Sequence, residues 1–204
     1  MAFVDLTDLR CQIAEPGMPD YGALQKPVLG GGRISKVDRL GGGHTIKYTV
    51  PPEMMEPDGR RLVARCQMAK RYGAIFEIPQ VEFEVGPVMR ADGTAITVLA
   101  AVTGGRTVHI TGAAPRYAIR QGQALNIARN GHRYLYFAAE QVALDADGAG
   151  ELLLTGPLRS KLLGGEVVEL RRPVIEGWIE GDNFSWPIDV QRTVGLSFDV
   201  VERA

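Results

Sequence analysis

The sequence predicts a mainly β protein with one α-helix lying on a sheet and a small β-barrel or sandwich module. Twenty-five glycines among 204 residues make the chain rich in turns. Short apolar runs alternate with polar residues at the period of two that a half-buried strand requires. One stretch only, near residue 60, repeats its apolar residues at helical spacing.

Residues 1 to 32 carry short apolar runs, Pro16, Pro19, Pro27 and a triple glycine at 30 to 32, a pattern for a strand followed by a long ordered loop or arm. "RISKVDRL" and "HTIKYTV" flank Gly41, Gly42 and Gly43 and predict a hairpin. Ile46, Tyr48 and Val50 lie on one face of it, and Pro51 and Pro52 close its second strand. The helix is expected over about 57–72, with Leu62, Val63, Cys66, Ala69 and Tyr72 as its apolar stripe and Gly73 as its stop. "VEFEV" then alternates strictly, with Val81, Phe83 and Val85 opposite Glu82 and Glu84.

From about residue 94 the chain reads as short strands: "TAITVLAAV", "RTVHITG", "QALNIA", "HRYLYFA", "GELLLTG" and "GEVVEL". Gly104-Gly105, Asn130-Gly131, Asp147-Gly148 and Gly164-Gly165 punctuate them, and Asn-Gly between apolar runs signals a two-residue hairpin because both central residues reach positive φ. Leu196, Phe198 and Val200 alternate with Ser197 and Asp199 in a last strand expected to pair with the first half of the chain. No repeat of 20 to 50 residues is visible, against a solenoid or propeller.

With 23 basic and 24 acidic residues the formal charge is −1, which gives no global reason to bind nucleic acid or an anionic membrane and leaves only a local basic patch open. Cys11 and Cys66 are too few for a disulfide framework and read as reduced thiols, Cys66 as packing. No basic leader or membrane-length apolar run stands in the sequence, so a reducing, aqueous compartment and no membrane insertion are expected.

The candidate sites weaken on inspection. Asp145 and Asp147 could open a calcium loop, but Ala149 and Gly156 occupy the fifth and twelfth positions where the cage needs oxygen. A turn fits better, with Asp147 capping its own backbone and Gly148 at positive φ. Phosphate-loop and nucleophile-elbow motifs are missing, and His44, His109 and His132 fall in separate contexts. Glu82 with Glu84, or Asp145 with Asp147, are the carboxylates a hydrolase would need, though paired acids on a strand usually form a solvated face. In "YLYF", Tyr134 and Tyr136 are expected on a half-exposed face and Leu135 and Phe137 in the core. The tyrosines, with Trp178 or Trp186, are the surfaces a carbohydrate-binding module would use. No catalytic residue, cofactor or metal site is predicted.

A Gly-Gln turn at Gly122 and Gln123, the Asp-Gly corner at 147 and 148, the strand ending "PLR" at Pro157 to Arg159, and a segment from Val168 to Gly177 recur in order before the "GLSFDVVE" strand. Over residues 112 to 201 this order resembles the distal tail and minor tail (baseplate) proteins of tailed bacteriophages. The resemblance implies a tail-tube-like β-sandwich over 1–98 with 174–204 and an inserted all-β module over 99–173. It also implies a virion protein at the tail tip, assembled in the host cytoplasm as a hexameric ring that joins tube, hub and tape-measure proteins. Loops 17–32 and 86–94 and the arm before Arg33 are its expected contact surfaces. A carbohydrate-binding β module for host recognition is the alternative.

Overall fold

The computed structural model describes residues 3–19, 23–25, 35–37, 42–80 and 86–203. The strand expected at 81–85, with Glu82 and Glu84, the glycines 30–32 and residues 20–22 and 26–32 of the arm before Arg33 lie outside these. In chain order the elements are β1 (Val4–Asp5), β2 (Ile13–Gly17), β3 (Ala23–Gln25), β4 (Ser35–Val37), β5 (Thr45–Met54), α1 (Arg60–Tyr72) and β6 (Ala74–Glu77). Then follow β7 (Thr97–Val98), β8 (Thr107–Thr111), β9 (Ala118–Ile119), β10 (Ala124–Arg129), β11 (His132–Phe137), β12 (Val142–Ala143), β13 (Gly150–Leu153) and β14 (Val168–Glu169). β15 (Val174–Ile179) and β16 (Thr193–Glu202) end the described chain.

The fold is the mainly β one predicted; among the described residues there is one flanking α-helix, and none of the sheets closes into a barrel. Its largest sheet has the order β1-β6-β15-β16-β5-β2, so the last two strands fill the centre between strands from the first eighty residues. The pairing of β16 with β5 matches the expectation that the tail returns to the first half. Smaller sheets have the orders β11-β10-β14, β13-β8-β7, β12-β9 and β3-β4.

Three local expectations need correction. The hairpin around Gly41 to Gly43 does not form: β4 pairs with β3, while β5 pairs with β2 on one side and β16 on the other. Nor do Pro51 and Pro52 end β5, which runs on to Met54. They sit where the register slips between Val194 and Leu196, two residues of β5 against Gly195 alone, a bulge at which the ladder does not need their missing N–H groups. The helix begins at Arg60 rather than 57, after a turn of π-type bonding over Met55–Gly59. Pro57 forces its predecessor out of the helical region, and Glu56 accordingly lies at φ −117°, ψ 133°. The helix ends at Gly73, φ 81°, as expected; of the expected stripe Val63, Cys66 and Ala69 are buried and Leu62 partly so, while Tyr72, on the last turn, is exposed.

The side chains gather in two apolar cores. One takes Val63, Cys66 and Ala69 of α1 with Tyr48, Phe76, Ile175, Phe198 and Val200 of the six-stranded sheet. The other is built from Val88 to Leu170, with Val98, Val108, Ile110, Leu152 and Leu154 among its members. The β10–β11 hairpin stands between them. Its Asn130-Gly131 turn has φ 50° and 75°, as the dipeptide predicts, and its register places Ala124, Leu135 and Phe137 in the first core and Leu125, Ile127 and Tyr136 in the second. Asn126, 1% exposed, fastens this hairpin to β15: its side-chain amide donates to the Val174 carbonyl (2.8 Å) and its carbonyl accepts from the Val174 N–H (2.6 Å). A side chain thus supplies the hydrogen bonds a neighbouring strand would.

Candidate functional site

The segment from 180 to 192 joins β15 to β16 and folds back on α1. Lys70 fixes its start, donating to the carbonyls of Ile179 and Gly181. Asp189 fixes its end by accepting from the Thr193 N–H (2.9 Å) and hydroxyl (2.8 Å). In between, Phe184 and Trp186 lie partly buried against the first core, their rings 6.0 Å apart.

Between this segment and the helix runs a groove of about 610 Å³. Met68, 52% exposed, and Tyr72, 39% exposed, form the helix wall; Phe184 and Trp186 form the other, and Lys70 and Arg71 add positive charge. Farther along the same segment Ile188 and Val190 are exposed as well. Among the described lining residues the apolar and aromatic side chains dominate, so the groove offers an apolar contact surface.

A second polar constellation sits inside the molecule. Glu202 accepts from the backbone N–H groups of His44 (2.8 Å) and Leu135 (2.8 Å) and from the Arg159 guanidinium (2.6 Å). The side chains of the ion pair are only 7% and 1% exposed. Arg159 also donates to the Leu135 carbonyl, lies 5.3 Å from the centre of the Tyr134 ring and 5.2 Å from that of Tyr136, and gives its backbone N–H to the Tyr136 hydroxyl. Burial opposes the Arg159 charge, but its bonds to Glu202 outweigh that and hold its pKa above the ordinary arginine value. Burial pushes the Tyr136 phenol up and the His44 imidazole down. This cluster ties β16 to the β10–β11 hairpin.

The residues singled out from the sequence scatter. Tyr136 is 4% exposed, so the tyrosine face expected to be half-exposed turns into the second core; both faces of β11 are used, one by each core. Tyr134 is partly exposed and stacked on His132, with centroids 5.8 Å apart. Trp178, 43% exposed, leans on Phe3 at 5.9 Å, and Trp186 belongs to the helix groove. The turn at 145 to 149 has its predicted Gly148, φ 67°, but the cap is Asp145 rather than Asp147. The Asp145 carboxylate accepts from the N–H groups of Asp147 and Ala149, both at 2.8 Å. Among the described residues no group of three or more His, Cys, Asp or Glu side chains is placed to hold a metal ion. Burial pushes the Cys66 thiol up to about 12, in keeping with a packing role. Cys11 donates to the Ile13 carbonyl, and its pKa is also raised by burial. In loop 86–94 Val88 is buried and Met89 bridges to Ala113, so part of the expected contact surface is anchored to the second core.

Sequence reasoning missed the groove and the Arg159–Glu202 pair. Trp186 stood out in the sequence as a stacking surface, but nothing there placed it, or Phe184, against α1. Nothing in the sequence links Arg159 to a carboxylate 43 positions on. No family model matches the chain, and no curated protein is found to match it.

Proposed function

We propose that this chain is a structural virion protein of a phage tail tip that assembles into a hexameric ring linking the tail tube to the hub. The observation that carries the reading is the apolar groove between α1 and the 180–192 segment. Met68 and Tyr72 stand exposed there beside Phe184 and Trp186, and Ile188 and Val190 follow on the same segment. Exposed apolar residues gathered on one surface mark contact sites between proteins. The order of turns from Gly122 to Gly177 and the mainly β architecture support the reading as well. In a ring, each copy presents one surface to the copy on one side and a different surface to the other.

Native mass spectrometry and negative-stain imaging of the purified chain test this. Rings or closed oligomers are expected, and Met68→Glu with Trp186→Glu is expected to shift the population to monomer. A chain that stays monomeric at high concentration, alone and with tail-tube and hub proteins, overturns the reading.

A further inference from the structure

We propose that two grooves meeting at Gly86 and Pro87 dock an acidic, extended polypeptide segment of a partner protein. This goes beyond the ring assignment and does not depend on it. One groove, about 330 Å³, runs along the turn that holds Arg116 and Tyr117; the other, about 450 Å³, has Met89 and Arg171 in its lining. Among the described residues neither is lined by an acidic side chain. The space over their junction is open: a Cβ on Gly86 would meet no atom within 4 Å.

Arg116 carries the first part of the argument. It occupies a turn at φ 58°, a left-handed conformation that costs an ordinary side chain about 1–2 kcal/mol and that glycine adopts without that penalty. The turn uses only its backbone, the N–H donating to the Asp145 carbonyl at 2.9 Å. The guanidinium is exposed and meets no carboxylate among the described residues. A strained position that keeps a charged side chain the turn does not need points to a use outside the turn.

Arg171 repeats the pattern. Its neighbour Arg172 is paired with Glu77 at 2.6 Å, but the Arg171 guanidinium is exposed and unpaired among the described residues. The nearby Glu169 carboxylate is engaged by the backbone N–H groups of Arg171 and Arg172. Two exposed guanidinium groups thus stand at grooves that share Gly86 and Pro87, and neither has a carboxylate partner among the described residues. Guanidinium groups match carboxylates in a two-pronged geometry that lysine lacks. Met89, 44% exposed, and the partly exposed Tyr117 offer apolar surface beside them, which suits a segment that mixes acidic and apolar residues.

The test is fluorescence anisotropy with a short labelled peptide alternating glutamate and valine, on the full chain at low and high salt. Saturable binding that weakens with salt is expected, and Arg116→Gln with Arg171→Gln should weaken it by about tenfold or more. Arg60→Gln with Arg61→Gln, an equal loss of exposed charge on α1, should leave it within about twofold. Both double variants should keep the wild-type melting temperature, because all four side chains are exposed. Absence of peptide binding overturns the proposal, as does equal weakening by the α1 variant. Tighter competition by duplex DNA or polyphosphate than by the peptide reassigns the grooves to phosphate polymers. Loss of wild-type self-association in the Arg116/Arg171 variant reassigns them to a second copy of the chain.

Discussion

Around the first core, β5 and β16 run ten residues each and pair along almost their whole length; around the second, β7, β9, β12 and β14 are two residues each. Long ladders satisfy their own backbone groups. Short strands leave many N–H and C=O groups at corners, and buried ones must find other partners. In the second region side chains do this. Asp145 accepts from two turn N–H groups, Gln123 from that of Arg120, and Glu166 from those of Leu163 and Gly164. Burial works to raise the Glu166 pKa, but those donors outweigh it and hold it below the ordinary glutamate value. The first region should therefore answer mainly to apolar truncation, and the second to loss of single polar or glycine corners.

The largest effect is expected where the two regions join. Glu202→Ala removes the carboxylate that satisfies Arg159 and two backbone N–H groups, and an unpaired buried charge costs about 3–5 kcal/mol. Urea unfolding followed by tryptophan fluorescence reports the first region, where Trp178 and Trp186 lie, while far-ultraviolet dichroism reports both. Wild type should give one coincident transition and Glu202→Ala two. Arg159→Met with Glu202→Met should recover much of the loss. If the single variant keeps one transition within about 1 kcal/mol of wild type, the joint is not what couples the regions.

A corner of the second region comes next. Gly148→Ala forces a side chain into φ 67° and sets its Cβ 1.9 Å from the Ala113 carbonyl oxygen, so the turn must open. The expected cost is roughly 3 kcal/mol, read as a fall in melting temperature. The same substitution at Gly122, φ 78° with nothing within 4 Å, should cost only the left-handed penalty of about 1–2 kcal/mol. Asn126→Leu should follow at about 2 kcal/mol, because it keeps the bulk but leaves the Val174 N–H and carbonyl unpaired. Equal costs at Gly148 and Gly122 would remove the close approach to Ala113 from the account.

What the sequence revealed was what is local. The Gly73 stop, the Asn130-Gly131 turn and most of the helix stripe follow from a few neighbouring residues and formed as read, Tyr72 alone of the stripe being exposed. The hairpin partner of β5 was misread, β2 standing where the strand before Gly41 was expected, because alternation reveals a face without revealing the neighbour. "YLYF" was misread for a related reason: a strand apolar on both sides belongs between two cores, and a single sequence shows only one alternation at a time. The cap at Asp145 rather than Asp147 depends on which carboxylate faces the turn N–H groups, which composition does not set. The helix groove needed the position of the 180–192 segment, and the buried ion pair needed the whole fold.

The smallest effect expected concerns acidity, and it sharpens the account of the joint. His44 is 9% exposed, and burial outweighs the attraction of Glu202, so its imidazole is less basic in the folded chain than in the unfolded one. The unfolded chain then binds more protons between the folded pKa and the ordinary histidine value of about 6.5. Stability contributed by neutral His44 is therefore present above that value and is lost as pH falls below it. Arg159, on the far side of Glu202, disfavours the imidazolium further, whereas the Gly17 and Leu135 carbonyls favour it, so the dependence should be shallow. Urea midpoints should fall between pH 7.5 and pH 5.5 in wild type, a window above the carboxylate range, and the fall should be reduced in His44→Gln. His109 is exposed and His132 partly exposed, which makes His109→Gln the control expected to keep the wild-type slope. If His44→Gln keeps that slope too, the imidazole is not what makes the joint sensitive to acid.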